Sequence, residues 1–273
     1  MKRRDFFVLG GAGLFSATRV ERPGNSVSDP TDWQPDGLGS LGRIAILTPD
    51  FDPVPESEIR AMAPGGISIH SSRVKYTRNT PISFTEPENI DSSTALLAKV
   101  NPNVILGGFT SSSYALGVHG EEQLIQRLEK LTNGIPVILT CKAAIEGFRF
   151  FNARKIALIH PPWFLNEVNS KGKTYFESQG YDVVFCSQLT PGRDFTEVQP
   201  AELYRWVKTN VTLGTDIIFI AGNGLRSAGV ISRLEREIKK PILTANQVLL
   251  WAALRLMGLT SKVINYGKVF KKG

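Results

Sequence analysis

The stretch Asn103-Val104-Ile105-Leu106-Gly107-Gly108-Phe109-Thr110-Ser111-Ser112-Ser113-Tyr114 decides how the rest of the chain is read. Its apolar run is too short for a typical helix and reads as a buried strand. Two glycines end it, where the backbone must turn without side-chain clashes. Four hydroxyl residues follow, at what reads as a helix start. Backbone N–H groups at a helix N-terminus, joined by hydroxyls, hold anions. The stretch therefore predicts a small-anion pocket at the carboxyl end of a parallel strand. The competing reading is that Thr110 to Ser113 do no more than cap the helix.

Working outward, the chain says the same thing twice. Ile44-Ala45-Ile46-Leu47-Thr48-Pro49 is echoed by Ile156-Ala157-Leu158-Ile159-His160-Pro161. Gly66 to Ser71 is echoed by Tyr181 to Cys186, and Asn103-Val104-Ile105-Leu106 by Asp216-Ile217-Ile218-Phe219. Arg127-Leu128-Glu129-Lys130 matches Arg233-Leu234-Glu235-Arg236, and Pro136 to Thr140 matches Pro241 to Thr244. The order is kept, and the first and third echoes are offset by 112 (44 to 156) and 113 (103 to 216) positions. Leu124, Ile125, Leu128 and Leu131 share one helical face, as do Ile231, Leu234 and Ile238. Strands alternating with helices imply parallel sheets covered on both faces. The expected fold is α/β, with two pseudo-symmetric Rossmann-like halves, each a four-stranded parallel sheet flanked by helices. The expected boundaries are 1–41 for a leader and linker, 42–139 plus 245–273 for the first half, and 140–244 for the second. Ligands of such sheets bind beyond the carboxyl ends of the strands, so the site belongs in the cleft between the halves. By the repeat, Phe109-Thr110 corresponds to Gly222-Asn223. Two matching Gly/polar turns favour a ligand site over capping alone.

Composition bounds the partners. The chain has 273 residues, 42% of them hydrophobic and 21% charged, with a formal net charge of +7. No basic stripe is interleaved with aromatics, so nucleic acid is not expected. An anionic small ligand suits the mild positive charge. The two cysteines, Cys141 and Cys186, stand 45 positions apart with no histidine at metal spacing, so no metal site is expected. A homodimer is the assembly expected of an α/β protein of this size.

Residues 1–20, MKRRDFFVLGGAGLFSATRV, join a basic start to an apolar segment too short to span a bilayer. Arg3-Arg4 followed by Asp5-Phe6-Phe7 resembles the twin-arginine export signal of bacteria. Export to the periplasm is the expectation, with a cytoplasmic protein carrying an N-terminal extension as the alternative. Residues 20–42, rich in Pro, Gly, Ser and Asp, read as a linker.

The chain past the linker resembles the aspartate/glutamate racemase superfamily, and within it maleate cis–trans isomerase and arylmalonate decarboxylase. The resemblance runs from Gly42 to Phe270. It is carried by IAILTPDFDPVPESEIRAMAPGGISIHSSRV, GGFTSSS, RKIALIHPPWFLNEVN, GNGLRS and NYGKVF. It implies a cofactor-independent isomerase or decarboxylase acting on a small carboxylate. Relatives usually carry a catalytic cysteine at each matching turn, and here those positions hold Phe109 and Gly222. Neither side chain can carry a proton or attack a substrate. Thr110 and Ser111 match the positions that bind a substrate carboxylate. Asn223, with the N–H groups of Gly222 and Gly224, is expected to complete an oxyanion site. Asp52 stands where maleate isomerases have an asparagine, and Trp163 or Phe164 matches the aromatic residue after the fifth strand.

With both thiols replaced, another group must move the proton. His160 ends a strand and its side-chain type titrates near neutrality. Cys141 follows a strand end facing the expected cleft, although a buried inert cysteine is the commoner case. Asp52 qualifies if burial raises its pKa. Tyr114 is a candidate donor to an enolate, or else a core aromatic. The alternative to an enzyme is a non-catalytic carboxylate-binding protein that kept the pocket.

Overall fold

In the computed structural model, residues 36–190, 193–194, 197–211, 214–259 and 263–271 are described. The leader discussed above lies outside them. The described residues form a single compact unit.

Its framework follows from the apolar runs. β1 (Gly42–Pro49) and β5 (Lys155–His160) carry Ile44 to Leu47 and Ile156 to Ile159, all completely buried. A strand with side chains buried on both faces needs neighbours above and below, which a parallel sheet between helices provides. β2 (Ile67–Val74), β3 (Val104–Gly107) and β4 (Val137–Leu139) join β1 in the order β2-β1-β3-β4. β6 (Asp182–Gln188), β7 (Ile217–Ile220) and β8 (Ile242–Thr244) join β5 in the order β6-β5-β7-β8. Every pairing is parallel, and the two orders are the same. The repeat read in the sequence is thus a repeat of topology.

The helices are α1 (Val54–Met62), α2 (Pro87–Ala98), α3 (Thr110–Leu131) and α4 (Thr140–Phe150) in the first part of the chain. α5 (Asn166–Glu177), α6 (Pro200–Asn210), α7 (Ile231–Ile238) and α8 (Ala245–Leu256) follow. α3 is broken at Gly117, whose φ of 66° and ψ of 176° are not helical. α8 touches α1, α4, β3, β4 and β8, so it borders both sheets.

The side-chain period of two divides each sheet between two cores. Ile44, Ile46 and Leu106 of the first sheet share the large central core with Ile156, Leu158 and Phe219 of the second. Ala45, Leu47 and Ile105 face an outer cluster on one side, and Ala157, Ile159 and Ile218 face another on the opposite side. The sheets therefore turn one face each toward a common interior. Among the described residues no helix is long and apolar enough to cross a membrane.

Candidate active site

Four strand ends meet at one cleft. β3 supplies Phe109, Thr110 and Ser111, and β7 leads into Gly222, Asn223 and Gly224. β1 runs into Phe51 and Asp52, and β5 into Trp163 and Phe164. These ten residues line a narrow inner end of about 20 Å³. Phe51, Phe109, Ser111, Trp163 and Phe164 continue outward into a vestibule of about 470 Å³, with Tyr76, Leu165 and Val168 on its walls and Arg78 at its side. The wall is aromatic: Tyr76 stacks against Phe51 at 5.5 Å and edge-on to Phe109 at 5.1 Å, and Phe109 meets Phe84 at 5.0 Å.

The two matching turns are bonded to each other. Asn223 Oδ1 accepts the Thr110 N–H at 2.8 Å and the Thr110 hydroxyl at 2.7 Å. Thr140 donates to the same oxygen at 3.2 Å, and the Gly222 N–H donates to Thr110 Oγ1 at 3.2 Å. A helix start leaves its first N–H groups without partners. At α3 one of them is capped by a side chain 113 positions further on. The hydroxyls of Thr110 to Ser113 give α3 no ordinary cap, because the N-cap residue is Phe109 and makes no side-chain bond there.

The Asn223 side chain is largely engaged: its carbonyl oxygen is taken by Thr110 and Thr140, and one N–H of its amide nitrogen donates to Asn246 at 2.9 Å. The Thr110 N–H and hydroxyl are both used in the same network. The Ser111 hydroxyl and N–H and the backbone N–H groups of Asn223 and Gly224 have no partner among the described residues. Ser111 is 4% exposed and lines both the inner end and the vestibule.

Gly222 and Gly224 are required for space. Gly222 has φ of +88°, and a Cβ there would lie 2.7 Å from the Pro161 ring. A Cβ on Gly224 would lie 2.6 Å from Asp52 Oδ2. The Asp52 carboxylate therefore presses against the second turn. Its other oxygen accepts the Val54 N–H at 2.9 Å, and Arg73 donates to its backbone carbonyl and, at 2.7 Å, to Thr48. Burial raises the Asp52 pKa from 3.8 to about 6, against the opposing pull of that hydrogen bond and of Arg73.

His160, Cys141 and Tyr114 stand elsewhere. His160 falls on the same side of β5 as Ile156 and Leu158, so it points into the central core instead of the cleft. It is fully buried beside Tyr114 and Phe164, at ring distances of 5.6 and 5.7 Å. Burial lowers its pKa to about 3, and its Nε2 has no partner among the described residues. Tyr114 is buried with its hydroxyl unpaired among the described residues, and burial holds its pKa well above 10. Cys141 is fully buried, its thiol 3.9 Å from the Thr110 carbonyl, and burial raises its pKa too. None of the three lines the cleft.

Several supporting residues carry no signal in the sequence. Glu58 accepts the Ser227 and Ala228 N–H groups at 2.6 and 2.7 Å. Asn246 bridges Glu58 and Asn223. Gln188 donates to the carbonyls of Pro162 and Phe164 at 2.9 and 3.0 Å, holding the loop that carries Trp163. They act through contacts between segments 19 or more positions apart, which no local spacing reveals. Among the described residues no three of His, Cys, Asp or Glu are grouped as a metal site.

Two like halves with a cleft at their matching strand ends define a class of bilobal α/β proteins. Within that class, a family model described as arylmalonate decarboxylase matches residues 77–270, and the chain belongs to that family. A maleate isomerase of Geobacillus stearothermophilus is 24% identical over 243 residues, covering 83% of this chain and 96% of that one. The fold matches that of Nocardia farcinica maleate cis–trans isomerase, solved with a covalently bound succinylcysteine intermediate. The TM-score is 0.76 at 21% identity, over 85% of this chain and 99% of that one. An arylmalonate decarboxylase structure matches at TM-score 0.70 and 20% identity, over 85% and 100%. The relatives are isomerases and decarboxylases, and an enzyme of that kind is what the family supports.

Proposed function

We propose that the chain is a cofactor-independent enzyme that decarboxylates a small malonate-type acid carrying an aromatic group, with Asp52 as the proton donor. The carrying observation is that, among the described residues, Asp52 is the one titratable side chain at the inner end of the cleft. Its pKa of about 6 lets it hold a proton near neutrality and release it to a carbon base. The aromatic vestibule suits a ring, and the unpaired donors at Ser111, Asn223 and Gly224 suit a carboxylate.

The step balances without an added reagent. The bond from the α-carbon to one carboxylate breaks and carbon dioxide leaves. The electron pair passes into the remaining carboxylate as an enediolate, whose oxygens take the Ser111, Asn223 and Gly224 donors. Preorganised donors of this kind supply most of the barrier lowering where charge develops. The Asp52 proton then goes to the α-carbon, and solvent restores it to the carboxylate. Phe109 and Gly222 occupy the matching positions of the two turns and contribute no proton.

A second reading rests on that same pair: with no thiol at either turn, the pocket binds an acid and does not turn it over. Adding phenylmalonate, an aryl malonic acid, separates the two. Release of phenylacetate supports the enzyme, and saturable binding without product supports the binding protein. Export through the leader belongs to this proposal as well. Its test is the compartment of the full chain compared with the Arg3→Lys/Arg4→Lys variant.

A further inference from the structure

We infer that Glu58 is a positioning residue that fixes the first turn of the site through a chain of two amide side chains. The carboxylate on α1 accepts the N–H groups of Ser227 and Ala228 through one oxygen. Its other oxygen accepts Asn246 Nδ2 at 2.9 Å. That nitrogen also donates to the Asn223 backbone carbonyl at 2.8 Å. Both of its acceptors lack hydrogen, so the amide of Asn246 has one permitted orientation. Its oxygen must then face Asn223, where it accepts Nδ2 at 2.9 Å. This in turn forces the Asn223 oxygen toward Thr110, whose N–H and hydroxyl it accepts.

Glu58 and the Asn223 carbonyl together therefore fix Asn246, and Asn246 and Thr110 together fix Asn223. Asn223 and Asn246 are 2% and 0% exposed, so water does not substitute for a lost partner. Replacing the carboxylate by an amide puts a donor against Asn246 Nδ2. The Asn223 carbonyl still prevents Asn246 from turning over, so the conflict is relieved by Asn246 moving off residue 58, which loosens its hold on Asn223 and, through it, on the Thr110 N–H. The consequence for turnover rests on the cleft being the carboxylate site, whereas the geometry of the chain does not.

Amide proton exchange of the whole protein, read residue by residue by NMR, tests it. In Glu58→Gln and Asn246→Ala, exchange at Thr110 is expected to rise about tenfold or more as its acceptor, Asn223 Oδ1, is less firmly held. In Asn246→Ala, Ala228 stays protected, because Glu58 still holds it. Ile105 and Leu106 on β3 stay protected in both variants, which a general loosening of the fold would not allow. If Thr110 exchange is unchanged in both variants, or rises only together with β3, the inference fails. With phenylmalonate as the probe, kcat falls about tenfold in Asn246→Ala with KM little changed, the mark of lost transition-state contacts. A wild type inert toward phenylmalonate counts against the proposed reaction, and the exchange data still decide the role of Glu58.

Discussion

Asn223 Oδ1 accepts both the N–H and the hydroxyl of Thr110, at 2.8 and 2.7 Å, and so caps a helix of one half of the fold from a turn of the other. The bond joins the two matching strand ends at the base of the cleft. It ties the two turns together across the base of the cleft, and it engages the Thr110 donors while leaving Ser111 to a ligand.

Asn223→Ala should therefore cost about 2–3 kcal/mol of stability, because two buried donors on Thr110 and the Asn246 amide lose their partner together. Chemical denaturation measures it. A cost below about 0.5 kcal/mol, the range of surface changes, would contradict the capping role.

Asp52→Asn should remove turnover and stabilise the fold. In the folded chain the Asp52 carboxyl holds its proton up to about pH 6, against 3.8 ordinarily. The folded state thus binds more protons between those values, and stability falls as pH rises through them, by about 3 kcal/mol in all. The asparagine variant escapes that loss. It should match the wild type near pH 4 and exceed it by about 2–3 kcal/mol at pH 7 in denaturation curves. The wild-type rate should fall as pH rises through about 6, since the protonated carboxyl is the donor. A rate that instead increases through that range would assign Asp52 the base role.

His160→Leu should keep turnover, because His160 lies in the central core and not at the cleft. It should also change the acid limb of stability. His160 is held neutral down to about pH 3, while the unfolded chain takes a proton near 6.5. The unfolded state binds more protons in that window, so wild-type stability falls as pH drops from about 6.5. The leucine variant should lose less stability between pH 6.5 and 4, as read from thermal midpoints across that range.

The contrast between Asp52 and His160 shows what the sequence makes legible. The doubled strand–helix pattern specifies the fold, because a strand end and a glycine turn are local features with local signatures. The repeat points to Phe109, Thr110, Gly222, Asn223 and Gly224, and the resemblance to Ser111 and to Trp163 or Phe164; the structure places these residues around one narrow pocket. The side-chain direction at a strand end was less legible. His160 and Asp52 both follow apolar runs, but the pleat sends His160 inward while Asp52 lies past the end of β1, beyond the pleat. What the repeat could not show is which polar groups are already spent. The Asn223 side chain is engaged by Thr110, 113 positions before it, and by Asn246, 23 positions after it, which no local pattern reveals.

The two turns should also differ in whether they accept a thiol. Phe109→Cys adds no backbone strain, since Phe109 has φ of −150°. Gly222→Cys forces a side chain onto φ of +88° and into Pro161. The first variant should fold with a thiol that iodoacetamide alkylates faster than the buried Cys141. The second should lose about 1–3 kcal/mol. Peptide mass spectrometry and thermal melting report the two results. Equal stability of both variants would contradict the reading of Gly222 as a spatial requirement.

Proton NMR in D2O, with phenylmalonate and either the wild type or Asp52→Asn, tests the proposed delivery of a proton to carbon through Asp52. Phenylacetate carrying one deuterium at the α-carbon is expected from the wild type, and unchanged phenylmalonate from the variant. Line broadening without product in the wild type, or equal turnover by both proteins, would contradict it.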